Sequence, residues 1–279
     1  MKKRKKYNVM AYVMLIVIGL VITFPFVWMV LACFKTNAEI LGSTKLLPSQ
    51  WSLDAFVKGW NGVGDITFAT YFKNTFLMVL PTVALTVLSC SFVAFGFARF
   101  RFPGKKIFFA LMISTLMLPN SVIIIPRYLI FNKMGLLNTY WPFYLPAAFA
   151  CFPFFIFMII QFMRGIPREL DEAAYIDGCT SCGLYFKVLL PLIKPALFSA
   201  GLFQFMWTWN DFFNTLIYIS SVKKFPVSLG LRASLDTAAQ IEWDKVMSMS
   251  LISILPLIFL FFFAQKYFVE GISTTGLKG

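Results

Sequence analysis

Asp211 stands where a charge is costly, in Trp207-Thr-Trp-Asn210-Asp211-Phe-Phe-Asn214, inside a long run of otherwise uncharged residues. A carboxylate in a membrane-crossing helix costs about 2.5–3.5 kcal/mol on insertion scales, so it must face a polar interior rather than lipid. Gln204, Trp207, Asp211, Asn214 and Tyr218 recur at steps of three and four, which on a helix makes one stripe, with Asn210 beside it. The stripe mixes hydrogen-bonding groups with aromatic rings, a chemistry suited to a polyhydroxylated ligand sliding past. The same groups could equally bond a neighbouring helix, and at this level both readings stand.

A second polar constellation lies between two apolar runs. Glu172-Ala173-Ala174 is followed after three residues by Gly178, and after nine more by Val188-Leu-Leu190-Pro191. Pro167 suits a first helical turn, and Glu169, Asp171 and Glu172 put negative charge at its positive end. Leu170, Ala173 and Ala174 share a face, and Gly178 can close the helix in the left-handed conformation, predicting a helix over 168–177. Thr180 or Ser181 can cap a second helix carrying Leu184, Tyr185, Val188, Leu189 and Leu192, until Pro191 and Pro195 interrupt it. The Ala pair would let another protein approach closely, and Glu172 would offer it a carboxylate for Arg or Lys.

Other motifs fail on inspection. Cys179-Thr-Ser-Cys182 has the spacing of a zinc or redox pair, but the chain has no second pair and no His. Cys33, Cys90 and Cys151 sit singly in or beside apolar runs and read as packing residues. Gly271-Ile-Ser-Thr-Thr-Gly276-Leu-Lys278-Gly279 mimics a phosphate loop, but Leu277 separates Gly276 from Lys278 and no Ser or Thr follows to hold magnesium. The chain is therefore expected to bind no ATP, metal or other cofactor itself. Without His there is no Ser-His-Asp arrangement, and no two acids stand at helical spacing within a span, so the expectation is a transport subunit rather than an enzyme.

The elements that must position these groups follow from composition. Hydrophobic residues make up 59% and charged residues 13%, against about 25% charged in soluble domains. Spanning takes roughly 20 apolar residues per helix, and six runs qualify: 7–34, 74–98, 107–126, 138–163, 195–222 and 246–265. They lack polar-apolar alternation, so an all-α bundle in a single transmembrane domain over 1–279 is predicted rather than a β-barrel. Lys2–Lys6 before the first run resembles a secretory leader, but 28 uncharged residues exceed a leader's core and no small-residue cleavage site follows, so it reads as a retained span. Pro119-Asn120 and Pro126 interrupt the third run, and Pro142 and Pro146 the fourth; broken helices of this kind line cavities in transporters, or are kinks tolerated by packing.

Lys and Arg fix the orientation. Lys2–Lys6 holds five, 99–106 four, 164–194 four and 265–279 two, against ten in the outer loops 35–73, 127–137 and 223–245, which are longer in total. Both termini, the loop 164–194 and the tail 266–279 are thus predicted to be cytoplasmic in a multi-pass protein of the cell membrane. The net charge of +13 is strewn along membrane edges rather than gathered on one folded face, which argues against nucleic acid and for anionic lipid headgroups.

The Glu172-Ala-Ala, Gly178, Leu190-Pro191 pattern resembles the cytoplasmic loop by which membrane subunits of ATP-binding-cassette importers engage their ATPases. Ala98-Arg-Phe-Arg-Phe-Pro-Gly-Lys-Lys106, Trp209-Asn210-Asp211-Phe212, Gln265-Lys-Tyr-Phe-Val-Glu-Gly271 and Gly276-Leu-Lys278-Gly279 narrow the resemblance to the carbohydrate uptake permeases, and most to the smaller permease of maltose and oligosaccharide importers. It covers nearly the whole chain. It departs at Cys179 and Cys182, where the family often carries Ala and an aromatic or small residue. The resemblance implies a helix-turn-helix coupling loop between spans four and five, with Glu172, Ala173, Ala174, Asp177, Gly178, Leu190 and Pro191 docking on an ATPase. It implies ATPase contacts for Gly276, Lys278 and Gly279, and a complex with a second permease, two ATPase subunits that hold ATP and magnesium, and an extracellular sugar-binding protein. The competing expectations are an importer permease for an amino acid, peptide or glycerol phosphate, and an ion-coupled carrier, which a single acid and the lack of an internal repeat disfavour.

Overall fold

The computed structural model describes residues 9–62, 66–236 and 241–276, with side chains over 9–62, 66–235 and 241–265. Its helices in chain order are α1 Val9–Ala32, α2 Asn37–Gly42, α3 Asp54–Trp60, α4 Phe68–Arg99, α5 Lys105–Thr115, α6 Asn120–Lys133, α7 Trp141–Ala148 and α8 Pro153–Arg164. They continue as α9 Glu169–Ile176, α10 Ser181–Leu192, α11 Lys194–Trp209, α12 Phe213–Tyr218, α13 Val227–Asp236 and α14 Trp243–Gly276. Four stretches are long and apolar enough to cross a membrane unbroken: α1, α4, Trp141–Arg164 and Trp243–Gln265. Two bent pairs, α5 with α6 and α10 with α11, bring the candidate spans to as many as six.

The breaks have local causes. After Thr115 the amides of Leu116, Met117 and Leu118 turn to carbonyls three residues back, while Ser114 and Thr115 hydroxyls donate to Leu111 and Met112 carbonyls. Pro119, extended and lacking an N–H, then stops the helix, and α6 leaves at 102° to α5. The predicted run 107–126 is therefore two helices, the second continuing to Lys133, so 127–133 is helix and not loop. The predicted fifth span, 195–222, also differs. A 75° bend falls between Leu192 and Lys194, beside Pro191 and Pro195, and the helix stops at Trp209. Only the short α12 follows, because Asn210 and Asp211 use their side chains on nearby backbone and amide groups instead of continuing the helix.

The chain forms two compact units. The first comprises Met1–Phe68 and Leu231–Leu255. Within it Asn37 fastens α2 to the start of α14, donating to the Ile241 carbonyl at 3.2 Å and accepting from the Trp243 amide at 2.8 Å. A Cβ on Gly59 would come within 2.9 Å of Met249, so the contact of α3 with α14 needs glycine unless Met249 shifts. The second unit comprises Ala69–Gly230 and Pro256–Gly279. One buried cluster here joins α4, α8, α9 and α10 through residues such as Phe95, Phe155, Met163 and Tyr185. Another, around Met78, Phe131, Phe143, Trp209 and Tyr218, joins α4, α6, α7, α11 and α12.

Candidate functional site

The Glu-Ala-Ala loop is a structured pair of helices. Acidic Glu169, Asp171 and Glu172 fill the first turn of α9, opposite the sign of its dipole. Gly178 follows with φ +80, in the left-handed region, and no atom lies within 4 Å of where its Cβ would be. Thr180 accepts the Gly183 amide at 3.2 Å and caps α10. Inside α10 a π-helical stretch, Leu184–Leu189, carries Leu184, Tyr185 and Leu189 into the buried cluster.

This pair of helices rests on α4. Tyr185 shares a 2.6 Å hydrogen bond with Ser91 and stacks on Phe92, with ring centroids 4.7 Å apart. Asp171 Oδ2 lies 3.0 Å from Arg99 Nε, with side chains only 12% and 5% exposed. Arg99 also donates to the Ile166 carbonyl, and Arg168 to the Ala98 carbonyl. Burial pushes the Asp171 carboxyl above the usual carboxylate range, and the Arg99 guanidinium offsets part of that. The exposed face carries Glu172, Ala173 and Asp177 beside Leu170 and Ile176, the last 86% exposed. Ala174 is not on it: at 7% exposure it packs into the chain's own core, so only Ala173 of the Ala pair is free for close approach. Leu170, expected on the Ala174 face, points outward, and in α10 Leu192 is exposed and Val188 half-buried. Leu190 is half-buried and Pro191 exposed at the end of α10. Cys179 and Cys182 are free thiols, and no three metal-ligating side chains cluster among the described residues.

The polar stripe does not lie on one continuous helix. Gln204 and Trp207 are on α11, Asp211 is in the break, and Asn214 and Tyr218 are on α12. The break nevertheless brings all five to one cavity of about 480 Å³. The Asp211 carboxylate accepts the Asn214 amide at 3.1 Å and its side-chain Nδ2 at 3.0 and 2.9 Å, which fixes the turn into α12. Asn210 is the exception: it does not line the cavity, and its Nδ2 donates to the Met206 carbonyl of its own helix.

Across the cavity α4 contributes Thr82 and α6 contributes Asn120 and Arg127. Arg127 is a second charge facing the space, within electrostatic reach of Asp211 and Tyr218. Sequence reasoning placed it in an outer loop; the signal it overlooked is the apolar Tyr128-Leu-Ile-Phe131 continuing past Pro126. Gln204 donates to Thr208 at 2.7 Å, but its Oε1, the Asn214 Oδ1 and the Tyr218 hydroxyl are buried without hydrogen-bond partners. Arg127 lies near that hydroxyl without meeting hydrogen-bond geometry. Buried polar groups in folded proteins are overwhelmingly satisfied, and these three around one cavity leave room for an external donor or acceptor. Trp207, 49% exposed and packed 5.1 and 5.0 Å from the rings of Phe154 and Phe155, adds an aromatic face. Of the tail, Gly276 ends α14, while Lys278 and Gly279 lie outside the described residues.

With this geometry established, comparison with known proteins is informative. Residues 75–274 match the family described as binding-protein-dependent transport system inner membrane component. The chain is 36% identical to a probable ABC transporter permease, YurM, of Bacillus subtilis, over 100% of this chain and 92% of the relative. It is 33% identical to the arabinooligosaccharides transport system permease AraQ of Halalkalibacterium halodurans, over 99% and 100%. In fold it is similar to a chain of a bacterial ABC transporter involved in import of the acidic polysaccharide alginate, with a TM-score of 0.83, 22% identity, and coverage of 94% and 96%.

Proposed function

The chain belongs to the family of binding-protein-dependent transport system inner membrane components, and on that premise we propose that it forms half of the translocation pathway for a carbohydrate, an oligosaccharide by class. The observation that carries the reading is the cavity in which Gln204, Asn214 and Tyr218 leave buried polar atoms without partners beside Asp211, Arg127 and Trp207. Donors, acceptors and an aromatic ring within one space match the alternating hydroxyls and C–H faces of a sugar. The relative named for arabinooligosaccharide transport agrees with that class.

Both termini and the α9–α10 loop face the cytoplasm in this account, in keeping with the excess of Lys and Arg on that side. Two separate ATPase subunits bind ATP and magnesium; this chain contributes no residue to hydrolysis. Glu172, Ala173, Asp177, Gly178, Leu190 and Pro191 form the surface that meets an ATPase, and Gly276, Lys278 and Gly279 reach it from the tail. Ala174 supports this surface from beneath. Closure of the ATPase pair on ATP moves α9 and α10. Because these helices are tied to α4 by Asp171–Arg99 and Tyr185–Ser91, the motion passes into the helix that lines the cavity with Thr82. The second half of the pathway comes from another permease, and a sugar-binding protein delivers solute from outside.

The docking half of the account is tested by purification through this chain. Glu172→Lys should abolish co-purification of the ATPase subunits while the chain still inserts in the membrane; normal co-purification together with normal uptake would overturn the docking assignment.

A further inference from the structure

We propose that Arg101, Lys105, Arg164 and Arg168 form a binding site for the headgroup phosphate of an anionic phospholipid, at the turn between α4 and α5. A cavity of about 450 Å³ opens beside this turn, between the end of α4 and the α8–α9 connection, lined by Arg99, Arg164, Arg168 and Glu169 among others, with Arg101 and Lys105 outside its lining. Arg101 and Lys105 flank the α4–α5 turn, and Lys105 lies within electrostatic reach of Arg101, Arg164 and Arg168. Asp171, the nearest buried acid, is already paired with Arg99. Three of the four cations are held by neutral groups instead: Lys105 donates to the Phe100 carbonyl at 2.8 Å, Arg168 to the Ala98 carbonyl at 3.4 Å, and Arg164 sits 5.3 Å over the Phe109 ring. Among the described residues none of the four makes an ion pair with a carboxylate. Glu169, on the cavity wall, is one carboxylate facing several cations.

The start of α5 adds to the deficit. Its cap, Gly104, offers no side-chain acceptor, and its first turn holds Lys105 and Lys106 and no acid, opposite to what a helix N-terminus favours. An external anion would complement both the positive end of the helix and the bases. What identifies that anion is the surface continuing from the corner. Ile107, Phe108 and Leu111 are 67%, 58% and 58% exposed on α5, which belongs to a bent pair apolar enough to cross a membrane. Those side chains look at acyl chains, so the bases sit where hydrocarbon gives way to water, the level of phospholipid phosphates. The site rests on the membrane reading of α5 and not on the identity of the solute.

The test is native mass spectrometry of the full chain, purified in detergent with its co-purifying subunits, after exchange into phosphatidylglycerol or phosphatidylcholine. The wild-type chain should retain phosphatidylglycerol in preference to phosphatidylcholine. Arg101→Gln and Arg164→Gln should each weaken retention roughly fivefold, the equivalent of about 1 kcal/mol per basic residue near an anionic surface, whereas Arg164→Lys should keep it. Raising the salt concentration should release the lipid from the wild-type chain, a readout that needs no variant to fold. Millimolar inorganic phosphate should not displace it; displacement would mean a site for free anions and would overturn the proposal. Equal retention of both lipids, or of phosphatidylglycerol by wild type and Gln variants, would also overturn it. Loss of the ATPase subunits from the Gln variants with lipid retention unchanged would assign the cluster to a protein partner instead.

Discussion

Tyr218 separates the two readings of the polar stripe more cleanly than Asp211 does. Tyr218 is 2% exposed and its hydroxyl makes no hydrogen bond of full geometry, with Arg127 only near it, so deleting the hydroxyl removes little that holds the fold. Tyr218→Phe should therefore leave the thermal midpoint of the complex unchanged or raise it, since an unsatisfied buried polar group destabilises. If sugar uses that hydroxyl, the same variant should weaken transport roughly 2- to 10-fold, the worth of one neutral hydrogen bond at about 0.5–1.5 kcal/mol. A drop in stability with normal uptake would return the stripe to helix packing. The stripe was legible because steps of three and four survive even though the helix breaks at Asn210: α12 resumes in a register that still turns Asn214 and Tyr218 to the cavity. Arg127 was not, because it reaches the cavity lining on α6, which the 102° bend separates from α5.

At the scale of elements, α9 and α10 are fastened to α4 by the Asp171–Arg99 pair and the Tyr185–Ser91 hydrogen bond. Helix α9 was readable nearly to the residue, since Pro167, the acids of the first turn and Gly178 are local signals that fix both ends. The Arg99–Asp171 pair was not, because its members are far apart in sequence and only the packing of α9 on α4 brings them to 3.0 Å. The burial of Ala174 was hidden for the same reason. Removing one partner of a buried pair costs about 3–5 kcal/mol because the other charge is left unmatched. Asp171→Ala should therefore destabilise the chain by about that much, and Arg99→Ala/Asp171→Ala by clearly less than the sum of the single variants. Thermal unfolding of the four proteins would check it; additive losses would mean that the two groups do not interact.

For the whole molecule, composition and the run lengths carried the class, with four to as many as six candidate spans among the described residues, but where the helices bend was set by Pro119, Pro191 and the Asn210-Asp211 pair acting within the packed chain. Topology is testable directly. In a background lacking the five native cysteines, a thiol at Ser234 should react with an impermeant reagent on intact cells and one at Ser273 should not; labelling of Ser273 from outside would overturn the cytoplasmic placement of the tail and of the docking loop. The central claim is that solute passes the cavity around Asp211. It is tested most directly by reconstituting the complex purified through this chain in proteoliposomes with its sugar-binding protein, and measuring oligosaccharide uptake and thermal stability for wild type and Asp211→Ala. The account predicts that uptake and solute-stimulated ATP hydrolysis fall far more than stability does. Unchanged uptake alongside a clear fall in the thermal midpoint would contradict it.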